Sequence, residues 1–112
     1  MSLRIRQIVV AARDLEKTVE EFSQVLNIQV GYSDPDVAKF GLVNAMLVIG
    51  DQILEIVSPT QPNTTAGRHL DRHGDSGYML ILQTDDLARD RTRIDDLGVR
   101  IIYDIERPGI KA

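Results

Sequence analysis

An internal repeat is the feature that most constrains the fold of this chain. One apolar, strand-like run begins at Gln7 and ends in an Asp-Leu step at Asp14, where an amphipathic helical pattern starts. A second apolar run begins at Met79 and ends in the same step at Asp86. Self-similarity of this kind indicates a duplicated supersecondary unit. We therefore expect two related half-domains, with a functional site where the two halves meet.

Composition narrows the classes of protein that fit. The 112 residues suit one domain, and 43% hydrophobic with 27% charged residues is ordinary for a globular protein. A net charge of −4 without a Lys/Arg block argues against nucleic acid as a partner. The lack of cysteine excludes disulfides, thiolate metal ligands and cysteine nucleophiles. With no apolar run of roughly 20 residues and no signal-peptide pattern, we expect a cytoplasmic location and no membrane partner.

The first module, about residues 3–58, opens with a strand and a capped helix. Residues 3–12 are rich in Ile and Val, which favours a strand. Asp14 is placed to cap the following helix, and Asn27 is placed to end it in the left-handed conformation. A short strand is expected over 28–33. The apolar face of the helix carries Leu15, Val19, Phe22 and Leu26.

Two further strands, 39–49 and 52–57, are predicted to form a hairpin because a two-residue Gly-Asp loop separates them. Such a short loop fixes the register and puts Met46 opposite Glu55. Side chains alternate along a strand, so the hairpin has two faces. One face is wholly apolar and consists of Ala45, Leu47, Ile49, Leu54 and Ile56. The other face, the Glu55 face, carries Asn44, Met46, Val48, Ile53, Glu55 and Val57.

The second half of the repeat is shorter than the first. Residues 59–76 contain two prolines, two glycines and many polar side chains, and they predict a linker. A partial second module follows over 77–112, with a strand, a helix capped by Asp85 or Asp86, and a strand over 99–103. It lacks roughly two strands of the first module, which would leave unpaired edges. Either the chain is part of a longer protein, or a partner subunit completes the sheet, as in a homodimer.

Glu55 is the strongest candidate for chemistry. It lies mid-strand, on a face that also carries Ile53 and Val57. Burying a carboxylate is costly unless the group is paired, hydrogen-bonded, protonated or bound to a metal. The alternatives are an edge strand whose Glu55 face is wet, or a salt bridge between Glu55 and an arginine.

Gln7 and Met79 occupy equivalent positions in the two halves. Gln7 shares a face with Val9 and Ala11, and it is either an oxygen ligand, a hydrogen-bonding group in a pocket, or a solvated strand-end residue. Methionine is a poor ligand for hard cations, so we expect Met79 to line or fill a pocket. The other predicted pocket residues are Met46, Val48 and Val57.

The two histidines of the chain, His69 and His73, are four residues apart, as in some helical zinc sites. They lie in the predicted linker among Arg68, Asp71 and Arg72, and no glutamate completes an H-E-x-x-H pattern. We expect solvated linker histidines, or one histidine that reaches over a pocket mouth.

These motifs resemble the vicinal oxygen chelate superfamily, which includes glyoxalase I, bleomycin-resistance proteins, fosfomycin-resistance enzymes and extradiol dioxygenases. The resemblance rests on the two strand-Asp-Leu-helix units and on the hairpin that ends in Leu-Glu-Ile-Val at 54–57, and it covers about residues 3–102. The chain is most similar to small bacterial glyoxalase-like proteins. The resemblance implies an α+β fold of paired βαβββ modules in a cup-shaped mixed sheet, with the second module incomplete.

The resemblance also implies a divalent metal (Ni, Zn, Mn or Fe) held in the cup. The first-strand ligand position matches Gln7, seven residues before Asp14, and the first-module carboxylate matches Glu55. The second-module ligand, usually His, falls at Met79, and the final carboxylate position would lie beyond Ala112. Two of the four implied ligands are therefore present.

Competing functions follow from the resemblance. The first is a metal-dependent lyase, isomerase or dioxygenase that binds a small molecule, with Glu55 as ligand and catalytic base. The alternative is a metal-free protein of the bleomycin-resistance type, which sequesters a small hydrophobic or cationic molecule against the predicted pocket residues. A third is a domain whose cup is filled by its own side chains and which acts only in assembly.

Overall fold

The computed structural model describes residues 2–107 and 110–111. The chain divides into two compact units. Residues 5–82 make the larger unit, and the residues before 5 and after 82 make the smaller one. Among the described helices, none is both long and apolar enough to cross a membrane.

The order of strands and helices in the first part of the chain is that of a βαβββ module. The strands are β1 (Leu3–Ala11), β2 (Val30–Tyr32), β3 (Leu42–Ile49), β4 (Gln52–Pro59), β5 (Ser76–Thr84), β6 (Glu106–Arg107) and β7 (Ile110–Lys111). The α-helices are α1 (Leu15–Leu26), α2 (Thr65–His73) and α3 (Leu87–Asp96), and a 3₁₀ turn spans Pro35–Phe40.

Five strands form one mixed sheet in the order β2-β3-β4-β1-β5. β1 pairs with β4 in parallel, whereas β3 is antiparallel to both β2 and β4. The hairpin register is the predicted one, with Met46 opposite Glu55 and Ile49 opposite Gln52. The predicted α+β class is thereby confirmed. The structure shows one such open sheet, in which β4 is the central strand.

The helix α1 has the predicted ends and covers the apolar face of the hairpin. The Asp14 side chain accepts a hydrogen bond from the Lys17 backbone N–H (3.1 Å), and Asn27 ends the helix at φ 55°. Asparagine tolerates this left-handed conformation better than most residues do. The helix packs through Leu15, Val19 and Phe22 on a buried cluster of Ala12, Leu47 and Ile56.

The opposite face of the sheet is covered in part by α2, which lies inside the predicted linker. The linker prediction is therefore wrong for residues 65–73. Thr64 caps this helix by accepting a hydrogen bond from the Gly67 N–H (2.9 Å), and Gly74 ends it at φ 70°. Sequence periodicity missed α2 because only Ala66 and Leu70 of its nine residues are buried. Leu70 packs on Val9, Ala11 and Val57.

The smaller unit contains α3 and departs from the predicted second module. Asp86 caps α3, as expected, by accepting from the Arg89 N–H (3.0 Å). The predicted strand over 99–103 is wrong, because residues 99–105 form no strand and most of their side chains are exposed. An apolar run without a buried surface to pack on gains little from an extended conformation.

Candidate functional site

Glu55 lies on the central strand of the sheet, with apolar neighbours on both sides. Its pairing partners are Met46 on β3 and Val9 on β1. Only 6% of its surface is exposed. The edge-strand alternative is therefore wrong for Glu55, and the fold forces a carboxylate into the interior.

Two neutral amides hold this carboxylate. Gln7 on β1 donates from Nε2 to Oε1 of Glu55 (2.8 Å), and Asn44 on β3 donates from Nδ2 to Oε2 (2.7 Å). Both amides approach diagonally across the sheet, one from each flanking strand. Among the described residues no cation pairs with Glu55, so the salt-bridge alternative is wrong as well. A buried carboxylate with only neutral donors keeps its capacity to bind a cation or a proton.

Asn44 is itself buried, with 5% of its surface exposed, and it uses both ends of its amide. Its Oδ1 accepts a hydrogen bond from the backbone N–H of Asp34 (2.9 Å) while its Nδ2 donates to Glu55. Asp34 is the residue that caps the Pro35–Phe40 turn. Asn44 therefore connects a surface turn to the buried carboxylate.

The pKa of Glu55 is raised above its ordinary value of 4.5, chiefly because burial disfavours the charged form. The hydrogen bond from Asn44 opposes this rise, the negative charge of Asp34 adds to it, and the hydrogen bond from Gln7 opposes it. A raised carboxyl pKa lies nearer to neutral pH, where a proton acceptor and donor works best.

The predicted pocket residues differ in their exposure. Met46 and Val57 are buried at 6% and 3%, and Val57 packs beneath Leu70 of α2. Val48 and Met79 are about half exposed, at 45% and 50%. The strand that carries Met79 lies beside β1 in the sheet, so the strands of Gln7 and Met79 are neighbours.

The two histidines lie on α2 and not in an irregular linker. The His69 ring lies 4.9 Å from the His73 ring and 5.0 Å from the Tyr78 ring, centroid to centroid. His69 Nε2 is 2.9 Å from Ser76 Oγ, which donates its single proton to the Gly74 carbonyl (2.9 Å). His69 must therefore be the donor to Ser76, an arrangement that cannot activate Ser76 as a nucleophile.

Comparison with known proteins places this chain in a family. The profile of the glyoxalase-like domain matches residues 8–109, which is most of the chain. The chain belongs to the glyoxalase-like domain family. This confirms the resemblance to the vicinal oxygen chelate superfamily that the two Asp-Leu steps indicated.

Solved structures similar to this glyoxalase-like domain include methylmalonyl-CoA epimerases. A variant of the Streptomyces coelicolor enzyme, in complex with 2-nitronate-propionyl-CoA, is 31% identical with a TM-score of 0.83, over 95% of this chain and 80% of that one. A methylmalonyl-CoA epimerase in complex with methylmalonyl-CoA and NH4+ is also 31% identical, with a TM-score of 0.83, over 97% and 80%. The Mycobacterium tuberculosis enzyme shares the fold at 20% identity and a TM-score of 0.80, over 92% and 69%. No curated protein sequence matches the chain significantly.

In this glyoxalase-like domain, the described residues do not fit a complete divalent metal site. The amide oxygen of Asn44 accepts from the Asp34 N–H and its NH2 group faces Glu55, so Asn44 presents no oxygen to a metal bound at Glu55. Met79 contributes no nitrogen or oxygen, and no group of three or more His, Asp or Glu residues suited to a metal occurs in the part of the chain that the structure describes. Gln7 and Glu55 could supply two protein ligands, whereas a catalytic zinc site, for example, takes three. Their role as metal ligands stays a prediction.

Sequence reasoning found Glu55 and Gln7 but gave no role to two residues of this glyoxalase-like domain, Asn44 and Asp34. The hairpin register contained the signal for Asn44, because it pairs with Val57 and is therefore diagonal to Glu55. No local pattern indicated that the Asp34 backbone would reach Asn44. That contact depends on the antiparallel pairing of β2 with β3, which puts Tyr32 opposite Met46 and so brings Asp34 to Asn44.

Proposed function

We propose that this protein is an isomerase-type enzyme that binds a small acyl compound and moves a proton through Glu55. The observation that carries the proposal is the setting of Glu55. It is a buried carboxylate without a paired cation, held by two neutral amides, and its pKa is raised. Structural ion pairs and metal-binding carboxylates are normally arranged differently, with a cation or with further oxygen ligands close by.

The proposed chemistry is removal and return of a proton beside a carbonyl group. Glu55 accepts the proton from the substrate carbon, the electron pair of that bond forms an enolate, and the proton then returns to the same carbon. The two amides keep the carboxylate oriented during both steps, which limits the reorganisation that the reaction requires. The raised pKa of Glu55 brings it closer to the acidity needed to give the proton back near neutral pH.

The relatives support an acyl-CoA as the first substrate class to test. The 31% identical structures hold methylmalonyl-CoA or 2-nitronate-propionyl-CoA, and their name describes an epimerase. Inverting a carbon centre next to a thioester carbonyl requires that a proton leaves one face of that carbon and that a proton returns to the opposite face, and Glu55 would perform the transfer on one of these faces. No step of this proposal depends on a metal, since the described residues supply at most two ligands.

A second candidate is a metal-free binding protein, and a specific observation favours it. Val48 and Met79 are half exposed, and Ile5 at the start of the larger unit is 41% exposed. Exposed apolar side chains that together form one patch mark surfaces that bind a small hydrophobic molecule. In that case Glu55 would supply a charge for the ligand and would transfer no proton.

One experiment separates the two candidates. The protein is incubated with methylmalonyl-CoA in D₂O, deuterium at the acidic carbon is followed by NMR, and affinity for the same compound is measured by calorimetry. We expect exchange in the wild-type protein and a loss of about 10²-fold or more in Glu55→Gln. Ser58→Ala is the matched control, because Ser58 is buried on the same strand and its hydroxyl donates to the Ala12 carbonyl and not to Glu55. Binding without exchange would favour the binding protein, and neither binding nor exchange would reject the acyl-CoA class.

A further inference from the structure

The amide of Asn44 can adopt only one orientation. A backbone N–H can donate but cannot accept, so the atom of Asn44 that faces Asp34 must be the carbonyl Oδ1. The NH2 group must then face Glu55, where it lies 2.7 Å from Oε2. Gln7 is different: among the described residues, no second hydrogen bond fixes its amide, and Gln7 is only partly buried. The donor to Oε2, Asn44, therefore has a fixed orientation, whereas the donor to Oε1, Gln7, can reorient.

The turn on the other side of Asn44 is anchored at both ends. At its start, the Asp34 side chain accepts a hydrogen bond from the Asp36 N–H (3.0 Å). At its end, the buried Gly41 adopts φ 71°, and its carbonyl accepts from the Thr60 N–H (2.8 Å). Most residues between these anchors, including Phe40, are exposed. Asp34, the residue at the first anchor, is the one whose backbone N–H binds Asn44, which in turn binds Glu55.

We propose that Asn44 is a positioning residue, which ties the Pro35–Phe40 turn to Glu55 so that Oε2 is held fixed and Oε1 is the oxygen that meets the substrate. The part of this inference that concerns substrate rests on the proposed function. The tie, by which we mean the link from the Asp34 N–H through the Asn44 amide to Glu55, rests only on the two hydrogen bonds of the buried Asn44 side chain. Gln7, on the side of Oε1, can turn or withdraw its amide when a ligand approaches, because nothing described holds its other end.

Two substitutions of Asn44 separate its two contacts. Asn44→Leu removes both hydrogen bonds and leaves the Asp34 N–H without its acceptor. Asn44→Asp keeps an oxygen for the Asp34 N–H but has no donor for Glu55 and places a second carboxylate beside it. If Asn44 only fills space, the two variants should not differ in which of the two contacts they disturb. If Asn44 positions Glu55, Asn44→Leu should loosen the Asp34 amide, and both variants should displace the Glu55 carboxylate.

The first measurement needs no ligand. Amide hydrogen exchange is followed by NMR in wild type, Asn44→Leu, Asn44→Asp and the control Ser58→Ala. We expect the Asp34 amide to exchange about tenfold faster or more in Asn44→Leu, and to stay within about threefold of wild type in Asn44→Asp and Ser58→Ala. Unchanged protection of Asp34 in Asn44→Leu, or equal loss in Ser58→Ala, would overturn the tie. If Asn44→Leu does not fold, loss of Asp34 protection in Asn44→Asp overturns it instead.

The second measurement uses methylmalonyl-CoA and the deuterium exchange assay. We expect kcat to fall about tenfold or more in Asn44→Asp, while KM changes less than about threefold, because the carboxylate is misplaced but the binding surface remains. A kcat equal to that of wild type would overturn the role of Asn44 in positioning Glu55. If wild type itself neither binds nor turns over this compound, the proposed function fails while the hydrogen-exchange result still decides whether the tie exists.

Discussion

Asn44 donates a hydrogen bond from Nδ2 to Oε2 of Glu55 over 2.7 Å, and both side chains are almost completely buried. The two residues lie on the paired strands of one hairpin, two positions out of direct register. Because both side chains are buried, water competes little for this hydrogen bond. The hydrogen bond therefore fixes both the direction of the amide and the position of the carboxylate.

The first prediction concerns Glu55 and pH. Its folded-state pKa lies above the ordinary 4.5, so between these two values the folded protein binds more protons than the unfolded chain. The free energy of unfolding should therefore fall as pH rises from about 4.5 through the folded pKa. Glu55→Gln should remove this part of the pH dependence and unfold at an equal or higher denaturant midpoint at pH 7.

Urea unfolding at several pH values measures this effect, with Ser58→Ala as the control that keeps the carboxyl group. The Glu55→Gln variant can be accommodated because its carbonyl can accept from Asn44 while Gln7 turns its amide to accept from the new NH2. An identical pH profile in wild type and Glu55→Gln would contradict the raised pKa.

The second prediction concerns Gly41 at the end of the Pro35–Phe40 turn. Gly41 has φ 71°, and a Cβ added there would lie 2.7 Å from Thr64 Cγ2. Gly50 in the hairpin loop has φ 59°, and a Cβ there would meet no atom within 4 Å. Both alanine variants are destabilised because alanine disfavours the left-handed backbone conformation. Only in Gly41→Ala does the added Cβ also clash with Thr64.

We expect Gly50→Ala to lower the free energy of unfolding by about 1 kcal/mol and Gly41→Ala by about 2–4 kcal/mol. Chemical denaturation of the two variants in parallel gives the difference. Equal losses would mean that Thr64 moves aside without cost and that the turn is not anchored where the structure places it.

The third prediction concerns Asp90 in the smaller unit. Its carboxylate accepts hydrogen bonds from the Thr84 hydroxyl and from Arg93 Nη2 (2.8 Å). The Thr84 hydroxyl, and then Arg93, lower the pKa of Asp90 below its ordinary 3.8. A lowered pKa stabilises the folded state above pH 3.8, and this contribution is lost as pH falls from 3.8 through the folded pKa.

Asp90→Asn should therefore destabilise α3 at pH 7 and have less effect below pH 3. Hydrogen exchange of the α3 amides measures this locally, without requiring the whole chain to unfold. Asp96→Asn is the control, since Asp96 lies at the exposed end of the same helix. A larger effect of Asp90→Asn at pH 3 than at pH 7 would contradict the assignment.

The fourth prediction concerns the metal that the family resemblance implies. Because the described residues offer only Gln7 and Glu55 as candidate ligands, we expect this chain to retain well under one equivalent of Ni, Zn, Mn or Fe after dialysis. Mass spectrometry of metals in wild type and Gln7→Leu tests this. One tightly held ion per chain in wild type, lost in Gln7→Leu, would instead establish the implied ligand pair.

The fifth prediction concerns the homodimer and the exposed edge of the five-stranded sheet. β5 is an edge strand of the five-stranded sheet, and its Leu80 and Leu82 are 54% and 50% exposed. Unpaired edges with apolar side chains favour association. Light scattering should give a dimer mass for wild type and a monomer mass for Leu80→Glu.

Val25→Glu is the control for the added charge, since Val25 on α1 is 81% exposed. A monomer mass for wild type at all concentrations would count against the dimer.

Much of the larger unit was predictable because its signals are local. The Asp14 cap, the Asn27 stop and the two-residue hairpin loop each depend on a few neighbouring residues, and the structure has all three as predicted. The helix α2 was not predictable in the same way. It depends mainly on Leu70 finding a place on Val9, Ala11 and Val57, which are distant in sequence.

The sequence by itself determined that a carboxylate at position 55 would share a strand face with apolar side chains, because alternation and a short loop leave no other register. Only the tertiary structure decided which groups donate hydrogen bonds to that carboxylate. Gln7 comes from a parallel strand 48 positions away, and the Asp34 N–H that orients Asn44 comes from a turn. Such contacts depend on how separate elements pack, and no local pattern of residues encodes the distance between them.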